Sequence, residues 1–132
     1  MHKVDHSEDE DFYTQDFEKE GVVSVWAGLI DRSELPAKDT LQDLCGVGYY
    51  RIEFQEGNSL GFKEVDLRLL FDGISYADTF LEEALLAAKN KGLKRARWIT
   101  VQYDFEYDPS RVRRVVADDP IFLGAFAYAV DR

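Results

Sequence analysis

Residues 21–29, GVVSVWAGL, constrain the fold more than any other stretch of the chain. The run is almost continuously apolar and rich in β-branched residues. A strand with one wet face would alternate apolar and polar side chains, whereas a run of this kind suits an interior strand covered on both faces. The segment is therefore expected to be central in its sheet.

A second extended segment reads differently. In ITVQYDFEYDP, residues 99–109, Ile99, Val101, Tyr103, Phe105 and Tyr107 alternate with Thr100, Gln102, Asp104, Glu106 and Asp108. A two-residue period belongs to a strand with one buried and one wet face. It lines up Asp104, Glu106 and Asp108 on the wet side, with neighbours roughly 6.6 Å apart. Like charges that close raise each other's pKa unless cations answer them, and Arg111, Arg113 and Arg114 follow just past Pro109. Folded back onto the row, they would make a surface charge network of small net value.

Between the two strands lies the clearest helix, about residues 75–91. Ser75 is a candidate cap and Asp78 sits at capping-box spacing. Ala77, Phe80, Leu81, Ala84, Leu85 and Ala88 form a stripe at helical period. Lys89 and Lys91 suit the negative end of the helix dipole, and Gly92 supplies a left-handed stop. Residues 33–44 carry a weaker helical pattern, with Pro36 confined to its first turn and Gly46 and Gly48 ending it. Residues 49–62 read as a hairpin about a Glu-Gly-Asn-Ser turn, and PIFLGAFAY, 120–128, as a final, largely buried strand. The expectation is a single α+β domain, 21–132, behind an acidic arm, 1–20. Its small central mixed or antiparallel sheet contains the strands near 22–29, 96–107 and 120–128, and the main helix packs on one face. Val23, Val25, Leu81, Leu85, Ile99, Val101, Phe105 and Phe122 are expected in one core.

At 132 residues and 45% hydrophobic, the chain can bury such a core without staples. Cys45 is the only cysteine, which leaves no intramolecular disulfide and no thiolate cluster for zinc, and fits a cytoplasmic address. No apolar run reaches the roughly 18 residues that span a bilayer, and no export signal is visible. A net charge of −10 repels phosphate backbones and anionic lipid. Nucleic acid and membrane are thus excluded as direct partners, and a basic protein is favoured. The arm holds eight acids against two lysines and is expected to be poorly ordered to about Asp16, with Phe12, Tyr13 and Phe17 as its only docking side chains.

Candidate chemistry is thin. Asp104 and Glu106 have a separation near that of the carboxylates of inverting glycosidases, yet neighbouring outward positions on any exposed strand share it. His2 and His6, with Asp5, Glu8 and Asp9, lie near a chain end without a second shell, so no metal site is expected. Cys45 has no histidine partner in the folded part and reads as a small buried hydrophobe. The glycines of CGVGYY and EGNSLG lack a phosphate-loop lysine and read as turns. Trp26 and Trp98 read as core packing. No catalytic residue, cofactor or metal is expected, and the chain reads as a compact acidic binding surface rather than an enzyme.

Three blocks also resemble a known family. VSVWAG at 23–28, the stretch from Gly73 to Pro109, and FLGAFAY at 122–128 are similar, in order and spacing, to the immunity protein 22 family of bacterial polymorphic toxin systems. Trp26, Gly28, Tyr103, Asp104, Tyr107 and Gly124 match its pattern, mostly at positions that look fold-specifying. The resemblance implies an α+β domain that binds one cognate toxin and blocks it without catalysis. An acidic blocker suits a nuclease toxin, whose basic cleft attracts phosphates. Asp104, Glu106 and Asp108, with Asp118 and Asp119, are then the expected partner-binding acids. The rival readings are a small carboxylate-based hydrolase and a housekeeping protein-interaction domain.

Overall fold

A computed structural model describes residues 15–36 and 38–130. Four antiparallel strands make the main sheet: β1 (Glu18–Gly28), β2 (Gln55–Ser59), β5 (Trp98–Phe105) and β6 (Ile121–Ala127), in the order β2-β5-β1-β6. A second, two-stranded sheet pairs β3 (Val65–Asp66) with β4 (Arg95–Ala96). Two helices, α1 (Leu67–Leu70) and α2 (Leu81–Asn90), complete an α+β fold with one main helix. Among the described residues no helix is long and apolar enough to cross a membrane.

From Val23 to Gly28 β1 is interior and buried on both faces, as its composition demands. Val23, Val25 and Ala27 face α1 and α2, where Ile99, Val101, Tyr103, Leu70, Phe80 and Ala84 close a first core. Trp26 faces the other way, into a second core with Phe17, Leu41, Leu44, Val47, Phe105 and Tyr107. The single core expected from the sequence is therefore two. Val23, Val25, Ile99 and Val101 are buried in the first, with Leu81 and Leu85 packed against it, whereas Phe105 and Phe122 lie in the second.

The reason is a break in the alternation of β5. Asp104 adopts a left-handed conformation, φ 54°, so Tyr103 and Phe105 point to opposite sides of the sheet. Thr100 and Gln102, expected on a wet face, are 7% and 1% exposed, because an irregular layer covers that side. The layer contains a π-helical turn, Thr40–Leu44, capped by the Asp39 carboxylate, which accepts the Gln42 N–H. Among the described residues of 33–44 that short turn is the only helical element.

Four other expectations are corrected. The Glu-Gly-Asn-Ser stretch is no hairpin turn but part of β2, paired from Gln55↔Gln102 to Ser59↔Trp98. Side chains pin it there: Asn58 Nδ2 donates to the Leu70 and Asp72 carbonyls, and Glu56 accepts the Ser75 N–H. The main helix begins at Leu81, not at Ser75, because Tyr76 is left-handed (φ 59°) and Ala77–Thr79 form a 3-10 turn. Its end is as expected: Gly92 has φ 75° and the Leu93 N–H reaches the Ala88 carbonyl at 2.9 Å. β6 is an edge strand in which only Leu123 is fully buried. The end of the arm is built into the domain, since β1 starts at Glu18, Phe17 is buried, and Gln15 bonds both Gly46 and Gly48. Residues 1–14, with Phe12, Tyr13 and both histidines, lie outside the described residues.

Trp98 lies flat across Gly28, its cross-strand partner, and its indole N–H donates to the Ile30 carbonyl at 3.0 Å. A Cβ on Gly28 would sit 1.8 Å from Trp98 Cε2. Gly28→Ala is therefore expected to lower the unfolding free energy by about 1–3 kcal/mol through overpacking. Urea denaturation checks this; an unchanged midpoint would mean that Trp98 moves aside at no cost.

Candidate functional site

β1 and β5 pair regularly from Gly28↔Trp98 to Val23↔Tyr103, and the next pair is Glu18↔Phe105. β1 thus takes five steps where β5 takes two, and the slack forms a bulge. Gly21, at φ 82°, makes the bend that a side chain would resist. Asp104 stands opposite. Its Oδ1 accepts the Gly21 N–H at 2.9 Å and the Tyr128 hydroxyl at 2.7 Å, while Oδ2 accepts no hydrogen bond among the described residues. A left-handed non-glycine residue costs about 1–3 kcal/mol, and two bonds to a carboxylate offset that.

Tyrosines gather beside this carboxylate. The Tyr103 ring packs against Tyr128 at 5.0 Å and Tyr76 at 5.9 Å, and the Tyr103 hydroxyl donates to the Ser75 carbonyl. Tyr76, the second strained non-glycine of the cluster, is 38% exposed. Burial raises the Tyr103 and Tyr128 hydroxyls above the ordinary phenol range, and for Tyr128 the bond to Asp104 and its charge add to the effect. Next to Asp104 a hollow of about 240 Å³ is lined by Glu18, Glu20, Tyr103 and Phe54, with Lys19 and Arg51 at its rim. Arg51 approaches Glu18 at 3.7 Å and Lys19 approaches Glu106 at 3.4 Å, all four side chains about half exposed. Pairs so wet hold little energy.

The acids singled out from the sequence do not form a row. Asp104 is held at the bulge. Glu106 is exposed, pairs with Lys19, and does not line the hollow. Asp108 caps the 3-10 turn Pro109–Arg111, accepting the Ser110 hydroxyl and N–H at 2.6 and 3.0 Å, bonds that hold its carboxyl below the usual range. Asp118 is exposed. Asp119 is 6% exposed, accepts the Leu29 and Ile30 amides, and sits at the opposite end of β1 from Asp104. Of the arginines beyond Pro109, Arg111 adds a small share to the lowering of the Asp108 carboxyl. Arg111 lies over the Phe17 ring and donates to the Asp16 carbonyl, and Arg114 donates to the Gly46 carbonyl.

What sequence reasoning missed is the contribution of Glu18 and Glu20, placed in the arm, and of Tyr76 and Tyr128. The available signal was Gly21, a glycine between a charged run and a strand, which is where bulges form. Cys45 is buried, its thiol pushed up to about 12 chiefly by burial, which makes it unreactive. Among the described residues no group of three His, Cys, Asp or Glu side chains is arranged to hold a metal ion. No family model, curated protein or solved structure matches the chain.

Tyr50, Tyr103, Tyr107 and Tyr128 all have hydroxyls raised in the folded state, burial being the largest cause. The unfolded chain releases those protons near pH 10 and the folded chain only above it. Stability from these groups is thus complete below about pH 10 and is lost as pH rises beyond it. Phenolate absorbance and circular dichroism followed together should show these four ionising only as the fold is lost. Ionisation of all the tyrosines near pH 10 in a still-folded chain would contradict it.

Proposed function

We propose that this chain is an immunity protein, a non-enzymatic binder that neutralises a cognate bacterial toxin by covering it. The observation that carries the reading is the composition of the bulge end of the sheet. The carboxylates of Glu18, Glu20, Asp104 and Glu106 are gathered there beside exposed Tyr76, on a framework fixed by Gly21 and Tyr128. Tyrosine offers contact area at low entropic cost, and acids around it steer a basic partner. The net charge of −10 works in the same direction.

The three family-like blocks support this reading. Trp26 and Tyr107 meet edge to face in the second core, Gly28 receives Trp98, and Gly124 lies under the Phe126 ring. Those residues hold the fold and leave the surface free to suit a particular toxin. A nuclease with a basic cleft is the partner chemistry that an acidic face fits best. The hydrolase alternative is disfavoured because Asp104 and Glu106 do not face one hollow. A housekeeping interaction domain would use the same surface, and the neighbouring gene separates the two, since an immunity gene normally lies beside its toxin.

The test is protection and binding measured against the product of the adjacent gene. Asp104 organises the bulge, so the variants belong on exposed positions: Glu18→Lys, Glu20→Lys and Glu106→Lys together. The association rate should fall by about tenfold or more, and the wild-type rate should drop steeply with salt while dissociation changes less. A folded triple variant that binds and protects at full strength would remove this face from the mechanism.

A further inference from the structure

The second face of the sheet is covered unevenly. Trp26, Phe105 and Tyr107 are sealed under the irregular layer, but toward β2 that layer stands off. Gly57, opposite Thr100, presents no side chain to fill the gap. What remains is a groove of about 510 Å³, larger than the hollow beside Asp104. Its apolar wall is Trp98, Leu44 and Phe62, Ile99 borders it beside Gly57 through its backbone, and Thr40 and Ser59 bring hydroxyls to it.

Arg32 forms its polar end. The guanidinium stacks 5.8 Å from the Trp98 ring and donates through Nη2 to the Asp119 carbonyl at 3.3 Å. Its Nε is buried with no hydrogen-bond partner among the described residues. Asp119 is the nearest counter-charge, at 3.7 Å, but its two carboxylate oxygens already accept the Leu29 and Ile30 amides. The buried Nε is thus the one donor of this guanidinium left both dry and unpaired among the described residues, and a buried donor left unmade is costly. Lys38 stands exposed on the rim and adds a second positive charge.

We propose that this groove binds a small organic oxyanion, a carboxylate or phosphate borne on a flat or apolar body. The planar fork of an arginine matches either oxyanion, and the stacked Trp98 holds that fork in place. The body of the ligand lies against Trp98, Leu44 and Phe62. The net charge of −10 opposes any anion at long range, so recognition is short-range and the anion alone is not enough. This site lies at the other end of β1 from Asp104 and does not depend on toxin binding.

The experiment follows the Trp98 indole N–H by NMR in the full chain, titrated with benzoate, phenyl phosphate, benzyl alcohol and inorganic phosphate. Benzoate, phenyl phosphate or both should shift it saturably, and whichever binds identifies the oxyanion. Benzyl alcohol and inorganic phosphate should each bind at least about tenfold more weakly. Arg32→Gln should weaken the oxyanion about tenfold, and Lys38→Glu, at an exposed position that leaves packing intact, severalfold. No saturable shift with either organic oxyanion would overturn the proposal, as would equal binding of benzyl alcohol. Unchanged affinity in Lys38→Glu together with unchanged affinity in Arg32→Gln would overturn it too. Inorganic phosphate binding as tightly as phenyl phosphate would overturn the apolar half of the assignment.

Discussion

Ser24 stands in the middle of β1 with no exposure to water, and its hydroxyl is engaged twice. It donates to the Phe105 carbonyl at 2.7 Å and accepts the Tyr107 N–H at 2.9 Å. A hydroxyl buried without partners would cost several kcal/mol, so these bonds are a condition of the strand being dry on that side. They also hold the end of β5 after the left-handed turn at Asp104 has carried it across the sheet. Phe105 and Tyr107 can then reach Trp26, Phe17 and Phe122 and close the second core. The Tyr107 hydroxyl extends the tie to the covering layer by donating to the Cys45 carbonyl.

The two layers over the sheet differ in kind, and the surface features follow from that difference. Helical side chains at regular spacing fill the first face, with Phe80, Ala84 and Ala88 pressed onto Val23 and Val25. The second face is covered by turns, caps and single anchors, such as Gln15 bridging Gly46 and Gly48. A covering of that sort packs tightly where aromatic rings interlock and leaves space where they do not. The groove beside Trp98 is such a space, and Gly57 keeps it open.

At the bulge, strain and charge occur together. Asp104 and Tyr76 are both left-handed, and Tyr103 touches the rings of Tyr76 and Tyr128, the latter bonded to Asp104. Strained backbone persists where surrounding contacts over-determine it, and such places tend to serve function. The result is an acidic corner with an exposed tyrosine, which on the proposed reading meets a basic partner without first ordering a loop.

The sequence by itself determined that the apolar part of β1 would be interior and dry on both faces, that Ile99 and Val101 would face the core, and that the main helix would stop at Gly92. Those properties follow from side-chain chemistry and from glycine's freedom in the left-handed region, which act within a few residues. Only the tertiary structure decided that the alternation in 99–109 would break at Asp104, that Gln55–Ser59 would pair as a strand, and that the acids would scatter. The Asp104 turn is stabilised by Gly21 and Tyr128, and β2 by Leu70, Asp72 and Ser75, partners far away along the chain. A local pattern records the preference of a segment. It does not record the distant donor or acceptor whose hydrogen bond, worth as much as the preference itself, overrides it.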